Sequence, residues 1–268
     1  MNGVDDAPRV AGRHKGAPEE DRKAWFLEHV TKPPQEIADF LAGTSVDIDG
    51  ARILDVGCGD GMIDLGMVRK FRPYEFVGTD IFQTDVDDLA EMSRRFLGSE
   101  LPDNLRFAEC TETMLPFADS RFDFVMSWSV FEHVSDPVRV LTEIKRVLRP
   151  RGYMFLQIWP LYHSQRGSHL WKWYPEGWEH LRRPHDELRK ELASFTEGQA
   201  DLREATLVDF DTLNRITLSQ LQNAVTAAGL KIRRVSATAD TIDVPEDLLR
   251  YPISDLMISE IKLLAVKD

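Results

Sequence analysis

Short apolar runs alternate with amphipathic stretches between residues 50 and 160. The runs have the length of buried strands, and the stretches between them repeat apolar residues at helical spacing. Such alternation predicts an α/β fold, in which helices cover both faces of a parallel sheet. The predicted strands are 53–56, 75–79, 105–108, 122–127 and 152–158. The predicted helices are 62–71, 85–97 and 137–148.

Further elements flank this alternation on both sides. Residues 20–41 form an amphipathic stretch that predicts one or two helices, with a break at Pro33 and Pro34. Residues 159–206 have no strand pattern. The later predicted elements are a helix over 217–228, strands over 231–238 and 260–266, and a loop over 239–259.

Composition and charge narrow the classes of function. The chain has 268 residues, a net charge of −12 and a pI of about 5.1. Nucleic-acid and membrane-surface proteins need a basic face, so we expect neither kind of partner. No apolar run has the length of a membrane span, and the first twenty residues lack the apolar core of a secretory signal. With only Cys58 and Cys110, a disulfide framework is not expected, and the cytoplasm is the expected location.

The turn after the first predicted strand is rich in glycine. Residues 57–61 read GCGDG and lead into the first predicted helix. Ligands of parallel sheets bind at the carboxyl ends of the strands, where glycines expose the backbone and a helix offers free N–H groups. The second strand is followed by Asp80, at a distance from the loop that suits hydrogen bonds to ribose hydroxyls. Together these features indicate a cofactor that contains adenosine.

Two classes of cofactor compete for this loop. A dinucleotide needs the spacing G-x-G-x-x-G, and here the third glycine comes one residue early. Asp55 and Asp60 would also repel a pyrophosphate. S-adenosylmethionine (SAM) carries a sulfonium and an ammonium group beside its adenosine, and both cations suit nearby carboxylates. The loop therefore favours SAM over a nicotinamide dinucleotide, and a methyltransferase over an oxidoreductase.

Five stretches, in order along the chain, resemble the motifs of class I SAM-dependent methyltransferases of the type 11 kind. They read ILDVGCGDG, VGTDI, LPFADSRFDFVMSWSVFEHVSDP, EIKRVLRPRGYMFLQ and DTLNRITLSQLQNAVTAAGLKI. The resemblance covers residues 50–159 and 207–267, and it implies a Rossmann-like sheet of seven strands, mostly parallel, with the last strand antiparallel. The expected domains are a disordered tail over 1–19, N-terminal lid helices over 20–50, and a methyltransferase domain over 51–268 with a substrate or lid insert over 159–206.

The resemblance also implies which residues hold SAM. Asp80 would bind the ribose, with Ile81 against the adenine. Many relatives have an aspartate where this chain has Thr111, so the adenine contact falls to Thr111, Glu112 or a backbone carbonyl. The residues implied to hold the methionine part of SAM are Asp55, Gly57, Cys58 and Gly59.

The candidate catalytic residues follow from the chemistry of methyl transfer. Ser127 and Trp128, at the end of the fourth strand, are implied to lie next to the methyl group. A hydroxyl or amine acceptor must lose a proton, and histidine has a pKa suited to taking it. The candidate general bases are His133, His163 and His169. For His133, within FEHVSDP, a purely structural role is the alternative.

Residues 159–206 combine histidines with tryptophans. Four histidines fall within 163–185, where they are open to three interpretations: solvated loop residues, a general base, or a metal site. No H-x-x-x-H or H-x-H spacing supports a metal, so none is expected. Residues 160–190 hold six Lys/Arg against four Asp/Glu. The tryptophans and tyrosines of the segment are Trp159, Trp171, Trp173, Trp178, Tyr162 and Tyr174.

Aromatic faces with basic side chains suit an anionic sugar or a flat aromatic acceptor. The alternative is a lid packed on the core, or a contact between two copies in a homodimer. The stretch WPLYHSQRGSHLW loosely resembles inserts of methyltransferases encoded beside glycosyltransferases of bacterial surface polysaccharides. We therefore expect methyl transfer to a hydroxyl of a small molecule, with a sugar or glycolipid favoured. The alternatives are N- or O-methylation of a secondary metabolite, or a non-catalytic partner subunit with the SAM fold.

Overall fold

Seven strands form one sheet in the part of the chain that the structure describes. The structure is a computed structural model, and it describes residues 18–195 and 200–268. The strands are β1 (Arg52–Val56), β2 (Glu75–Asp80), β3 (Leu105–Glu109), β4 (Phe122–Trp128), β5 (Leu148–Ile158), β6 (Lys231–Ala239) and β7 (Ile258–Val266). Their order is β3-β2-β1-β4-β5-β7-β6. β7 runs antiparallel to β5 and β6, and the other neighbours pair in parallel, which confirms the expected fold.

The helices of the described residues are α1 (Glu19–Leu41), α2 (Met62–Phe71), α3 (Val86–Met92), α4 (Pro137–Val147), α5 (Glu179–Arg182), α6 (His185–Ser194), α7 (Ala200–Thr212), α8 (Leu218–Ala227) and α9 (Ile253–Met257). Of these, α1 and α2 pack on one face of the sheet, and α4 and α8 pack on the other. α3 continues into a π-helical turn, Ser93–Leu97, so the helix predicted over 85–97 is confirmed to within a residue. None of the helices in the described ranges combines the length and apolar character needed to cross a membrane.

α1 is one continuous helix, so the break predicted at Pro33 and Pro34 does not occur. Because Pro34 has no amide hydrogen, the Val30 carbonyl lacks its usual partner one turn later. α2 approaches closely there, since a Cβ at Gly66 would lie 2.1 Å from the Val30 oxygen. Packing against α2 thus stabilises a helix that the two prolines alone would weaken. The lid role expected of this region stays a prediction, and residues 1–17 of the predicted tail lie outside the described residues.

The sheet is apolar on both faces, as a covered parallel sheet must be. Leu54 and Val125 pack on one face, together with side chains of α4 and α8. Ile53 and Phe124 pack on the other face, together with side chains of α1 and α2. The carboxyl ends of β1, β2, β4 and β5 meet at one edge, where the loops are free to bind ligands.

The segment over 159–206 shares a small core with residues from later in the chain, which we call the insert core. Within the described residues, α5 and α6 lie in this segment. The predicted loop over 239–259 is only partly a loop, because it contains a 3₁₀ turn, Glu246–Leu248, as well as α9. Both segments form structure because each covers the apolar residues of the other. The buried members of the insert core are Tyr162, Leu170, Trp178, Leu181, Leu188, Leu192, Phe210, Leu213, Leu248 and Leu256.

Candidate cofactor and acceptor site

Residues 57–61 turn between β1 and α2 at the carboxyl edge of the sheet. The amides of Gly57 and Cys58 both donate to the Thr79 carbonyl, at 2.7 and 2.9 Å. Gly57 has a φ of +88°, and a Cβ there would lie 2.3 Å from Val130 Cγ2. Glycine alone meets both conditions without strain. The loop after β1 and the turn after β4 are therefore in direct contact.

Asp80, the last residue of β2, lies beside this loop. Its Oδ2 accepts a hydrogen bond from Gly59 N at 2.9 Å, and its Oδ1 accepts one from Phe82 N at 3.3 Å. Burial raises the pKa of Asp80, and the two amides act in the opposite direction by stabilising the ionised form. At Gly59 no atom of the described chain lies within 4 Å of where a Cβ would stand. The predicted loop and acid are thus together, with open space beside them.

Two carboxyl groups are buried below the loop. Asp55 in β1 is 2% exposed, and Asp64 in α2 is fully buried. Burial raises the pKa of both groups; the charge of Asp55 raises that of Asp64 further, and the charge of Asp80 raises that of Asp55. The two side chains share a hydrogen bond, which raises the pKa of Asp64 and lowers that of Asp55, so Asp64 carries the proton and Asp55 the charge. A cation beside Asp55 would favour its ionised form, which fits a cofactor with a cationic end, such as SAM.

Asp64 was not among the predicted site residues. Its only signal is that an acid follows Met62 and Ile63 and precedes Leu65, within an apolar turn of a predicted helix. An isolated acid in such a pattern usually faces solvent. Only the packing of α2 against β1 reveals that the side chain points inward.

The residues predicted at the adenine end are exposed. Ile81 follows Asp80 directly and is 46% exposed. Thr111 and Glu112 follow β3 and are exposed too, and Thr111 N donates to the Met114 carbonyl at 3.2 Å. All three follow the carboxyl ends of neighbouring strands. Their contact with adenine stays a prediction.

Three other predicted cofactor residues are at least partly buried. Ser127 is fully buried, and its hydroxyl donates to the Val56 carbonyl at 2.7 Å, which ties β4 to β1. Trp128 stacks on Phe155, with ring centroids 6.1 Å apart. Burial raises the pKa of the Cys58 thiol, so this group is neutral at pH 7. Ser127 and Trp128 therefore have structural contacts of their own, and their place next to a methyl group stays a prediction.

Glu132, His133 and His169 come together after β4. Glu132 is 2% exposed, and neither carboxylate oxygen has a hydrogen-bond partner among the described residues. Burial raises the pKa of Glu132 to about 8, and the charge of Asp209 contributes to the shift. His133 Nδ1 lies 2.8 Å from Thr212 Oγ1, and the His133 and His169 rings are 5.3 Å apart. One nitrogen or oxygen atom of each lies within 4.8 Å of the others, which suits proton transfer or metal binding.

Asn214 holds the turn that carries Glu132 and His133. We call residues 131–134 the FEHV turn, after their sequence. Asn214 Nδ2 donates to the carbonyls of Phe131 and Val134, at 2.6 and 2.7 Å, and Asn214 N donates to the Glu132 carbonyl at 2.8 Å. Neither Glu132 nor Asn214 was predicted as a functional residue: Glu132 lies within FEHVSDP, where a structural role was expected for it, and Asn214 has no local pattern that sets it apart.

A row of aromatic rings continues from His169 towards solvent. The His169 and Trp171 rings are 5.7 Å apart, and the Trp171 and Trp159 rings are 5.8 Å apart. Trp159 and Trp171 are 39% and 36% exposed, whereas Trp173 and Trp178 pack into the insert core. The four tryptophans thus divide into two that are available to a ligand and two that stabilise the insert.

The three candidate bases do not lie together. His133 and His169 are neighbours, whereas His163 packs between Tyr162 and Tyr251, with ring centroids at 5.3 and 5.6 Å. Burial lowers the pKa of His163, so its imidazole is neutral at pH 7. His163 therefore has a packing role in the insert core. A role as base stays a prediction for each of the three.

Comparison with known proteins identifies the central part of the chain. Residues 54–156 match the profile of a methyltransferase domain family. The chain is 34% identical over 128 residues to an uncharacterised methyltransferase of Schizosaccharomyces pombe, covering 47% of this chain and 45% of that protein. It is 29% identical over 135 residues to a ubiquinone biosynthesis O-methyltransferase of Alkalilimnicola ehrlichii, covering 48% of this chain and 52% of that protein. The chain thus spans about half the length of these curated relatives.

The whole fold is similar to solved structures. A Galdieria sulphuraria protein described as a sarcosine dimethylglycine methyltransferase superposes with a TM-score of 0.57 at 19% identity, covering 92% of this chain and 99% of that one. At this identity the likeness shows the fold alone. The domain match, the sheet order and the cationic-cofactor environment at Asp55 agree with one another. Residues 54–156 therefore match a methyltransferase domain family, and they lie within a seven-stranded sheet that has the strand order of the class I fold.

Proposed function

We propose that this protein transfers the methyl group of SAM to a hydroxyl oxygen of a small acceptor. One observation carries the proposal: the cofactor loop, at Gly57, contacts Val130, the residue that directly precedes the FEHV turn, at the carboxyl edge of the sheet. An acceptor held by the FEHV turn would therefore lie beside a cofactor held by the loop. Methyl transfer needs this proximity above all, because the cofactor supplies an already activated methyl group.

The cofactor side uses residues around the loop. Asp80 would accept hydrogen bonds from the ribose hydroxyls, since its carboxylate has lone pairs beyond those taken by Gly59 and Phe82. Asp55 would attract the positive end of SAM, which offsets the cost of burying its charge. The backbone of Gly57 and Gly59 would admit the ligand to the loop.

The acceptor side would remove a proton. The acceptor's hydroxyl must lose its proton as its oxygen bonds to the methyl carbon, while the electron pair of the broken sulfur–carbon bond returns to sulfur. Glu132, His133 and His169 form a titratable group beside the loop, and a pKa near the working pH suits such a task. One of the relatives is named a ubiquinone biosynthesis O-methyltransferase, and that name describes methyl transfer to oxygen.

We propose a sugar or glycolipid as the acceptor class. The paired rings of Trp159 and Trp171 offer a partly exposed apolar surface next to His169. Sugar rings pack their C–H faces on such surfaces, while their hydroxyls remain free to react. A flat aromatic acceptor would use the same surface, so the acceptor assay must contain both classes.

Calorimetry and product analysis test the proposal together. The purified protein should bind SAM, and methyl-labelled SAM should transfer its label to oxygen in a panel of glycosides, polyhydroxylated aromatics and primary amines. Trp171→Ala should raise the acceptor KM and leave SAM affinity unchanged, since Trp171 lies on the acceptor side. Absence of SAM binding at millimolar concentration would refute the cofactor assignment and favour a non-catalytic partner subunit. Label on nitrogen alone would refute the hydroxyl acceptor.

A further inference from the structure

Three side chains from distant parts of the chain converge on one point beside the cofactor loop. Glu132 and His133 belong to the FEHV turn, and His169 lies in the segment after β5. One ligand atom of each lies within 4.8 Å of the other two. Two imidazoles and one carboxylate are a common protein ligand set for divalent transition-metal ions.

We infer that Glu132, His133 and His169 bind a divalent transition-metal ion, such as Zn²⁺ or Mn²⁺, which coordinates the acceptor's hydroxyl. The inference rests on the proposed function for the identity of the acceptor, but the metal site itself does not depend on it. Histidine spacing along the chain predicts no metal site, because His133 and His169 are far apart in the sequence. His133 and His169 are instead brought together by the fold.

Charge supports a cation at this point. Glu132 is buried, neither of its oxygens has a hydrogen-bond partner among the described residues, and Asp209 is buried nearby at 8% exposure. A divalent cation bound to Glu132 would be attracted to both acidic side chains, and it would satisfy the carboxylate that the protein leaves unpaired.

The geometry is open enough for a ligand to reach the ion. His133 and His169 are half-buried, so an ion can enter from the side of Trp171. Metal–ligand distances of about 2.1 Å place tetrahedral ligand atoms about 3.4 Å apart, so the three atoms, now within 4.8 Å of one another, would close in by at most about 1.4 Å on binding. Three protein ligands leave at least one position for an oxygen of the acceptor.

Hydrogen bonds from neighbouring residues hold two of the three ligands in place. His133 Nδ1 is already in contact with Thr212 Oγ1 at 2.8 Å, which leaves Nε2 as the metal-binding atom. The backbone of Glu132 is held by Asn214, whose amide donates to the Glu132 carbonyl at 2.8 Å. Such outer contacts keep ligands in place before the ion arrives.

A bound ion would activate the acceptor directly. A hydroxyl coordinated to a divalent cation loses its proton to solvent more readily, because the cation stabilises the alkoxide or phenolate that remains. That oxygen would then form the bond to the methyl carbon, and the sulfur–carbon electron pair would return to sulfur. Histidine then acts as a ligand, and no separate base with a neutral pKa is needed.

Cobalt binding tests the inference without any activity assay. The untagged chain of 268 residues is dialysed against a chelator and then titrated with CoCl₂ while its visible absorption is followed. In a second titration, the binding of ZnCl₂ is measured by calorimetry. We expect one ion per chain. Removing a residue that only hydrogen-bonds to a metal ligand lowers metal affinity by roughly 10- to 100-fold. His169→Ala and Glu132→Gln each remove a ligand, so they should lower Co²⁺ affinity by more than that. His29→Ala is the matched control, because His29 lies on α1, where its Nδ1 is 2.8 Å from the Trp25 carbonyl.

The possible outcomes separate the two proposals. Absence of Co²⁺ binding in the wild type, or equal binding in all variants, would overturn the metal site. If Glu132→Gln does not fold by circular dichroism, the comparison of His169→Ala with His29→Ala decides. SAM binding is measured in the same metal-free protein. If this protein does not bind SAM, the proposed function is overturned. If it binds SAM but not Co²⁺, only the metal site is overturned.

Discussion

Asn214 connects the FEHV turn to the segment between α7 and α8, and its removal tests how the acceptor side is built. Its side chain donates to the Phe131 and Val134 carbonyls, at 2.6 and 2.7 Å, and accepts from Ile216 N at 2.9 Å. Asn214→Ala removes all three hydrogen bonds. The two carbonyl groups then lose their donor at a place that bulk water reaches poorly, since Phe131 is fully buried.

The expected loss of stability follows from the number of bonds. A hydrogen bond contributes a net stabilisation of about 0.5–1.5 kcal/mol, so three give a loss of about 2–4 kcal/mol for Asn214→Ala. Asn104→Ala is the matched control. Asn104 Nδ2 donates a single hydrogen bond to the Pro73 carbonyl, at 2.7 Å, at the amino edge of the sheet. Its removal should cost about 1 kcal/mol.

Urea unfolding measures both effects, provided that fluorescence and circular dichroism report the same transition. The free energy of unfolding should fall further for Asn214→Ala than for Asn104→Ala, by roughly 1–3 kcal/mol. Turnover should also fall much more than SAM affinity, because Asn214 holds Glu132 and not Asp80. Equal destabilisation by the two substitutions, or equal losses of turnover and SAM affinity, would refute the reasoning.

Three more predictions concern the cofactor side. Asp80→Ala should weaken SAM binding by about tenfold or more, roughly 1.4 kcal/mol, and unchanged affinity in calorimetry would remove Asp80 from the ribose. Gly57→Ala should lower the free energy of unfolding by about 1–3 kcal/mol, because it adds a Cβ against Val130 at a positive φ; a thermal melt identical to that of the wild type would contradict this. The raised pKa of buried Asp64 means that the folded protein keeps a proton which the unfolded chain releases near pH 4. The stability that this proton contributes is fully present below about pH 4, and it is lost as the pH rises through the pKa of Asp64 in the folded protein. The urea midpoint of the wild type should therefore decline with rising pH, and Asp64→Asn should make that decline smaller. If the urea midpoint declines equally with pH in the wild type and in Asp64→Asn, Asp64 is not the cause of the decline.

The strands and the cofactor loop could be predicted because their signals are local. Short apolar runs such as 122–127 predict a buried strand between helices. The three glycines of residues 57–61 predict a turn. The predicted strand over 152–158 was too short, since β5 begins at Leu148. Leu148 pairs with Phe122 of β4, and the RPRG that follows, which looks like a turn in the sequence, lies in the register shift before Tyr153 pairs with Phe124.

Where local signals conflict with packing, packing decides. Pro33 and Pro34 predict a break, yet α1 continues because α2 supports it at Gly66. Composition cannot separate Trp178, which is 3% exposed, from Trp171, which is 36% exposed. Trp178 is buried because it packs in one cluster with Leu248 and Leu256, which come from a segment far along the chain. Its exposure therefore depends on a contact that the local sequence does not record.

By itself, the sequence determined the fold class, the cofactor loop and the acid at Asp80, because each depends on residues that are neighbours along the chain or lie at a set distance. The tertiary structure alone decided which titratable groups act together. The Asp55–Asp64 pair and the group of Glu132, His133 and His169 form only when separate elements pack at one edge of the sheet. Burial then shifts the pKa values of the carboxyl groups, and no spacing in the sequence records how much water a side chain has lost.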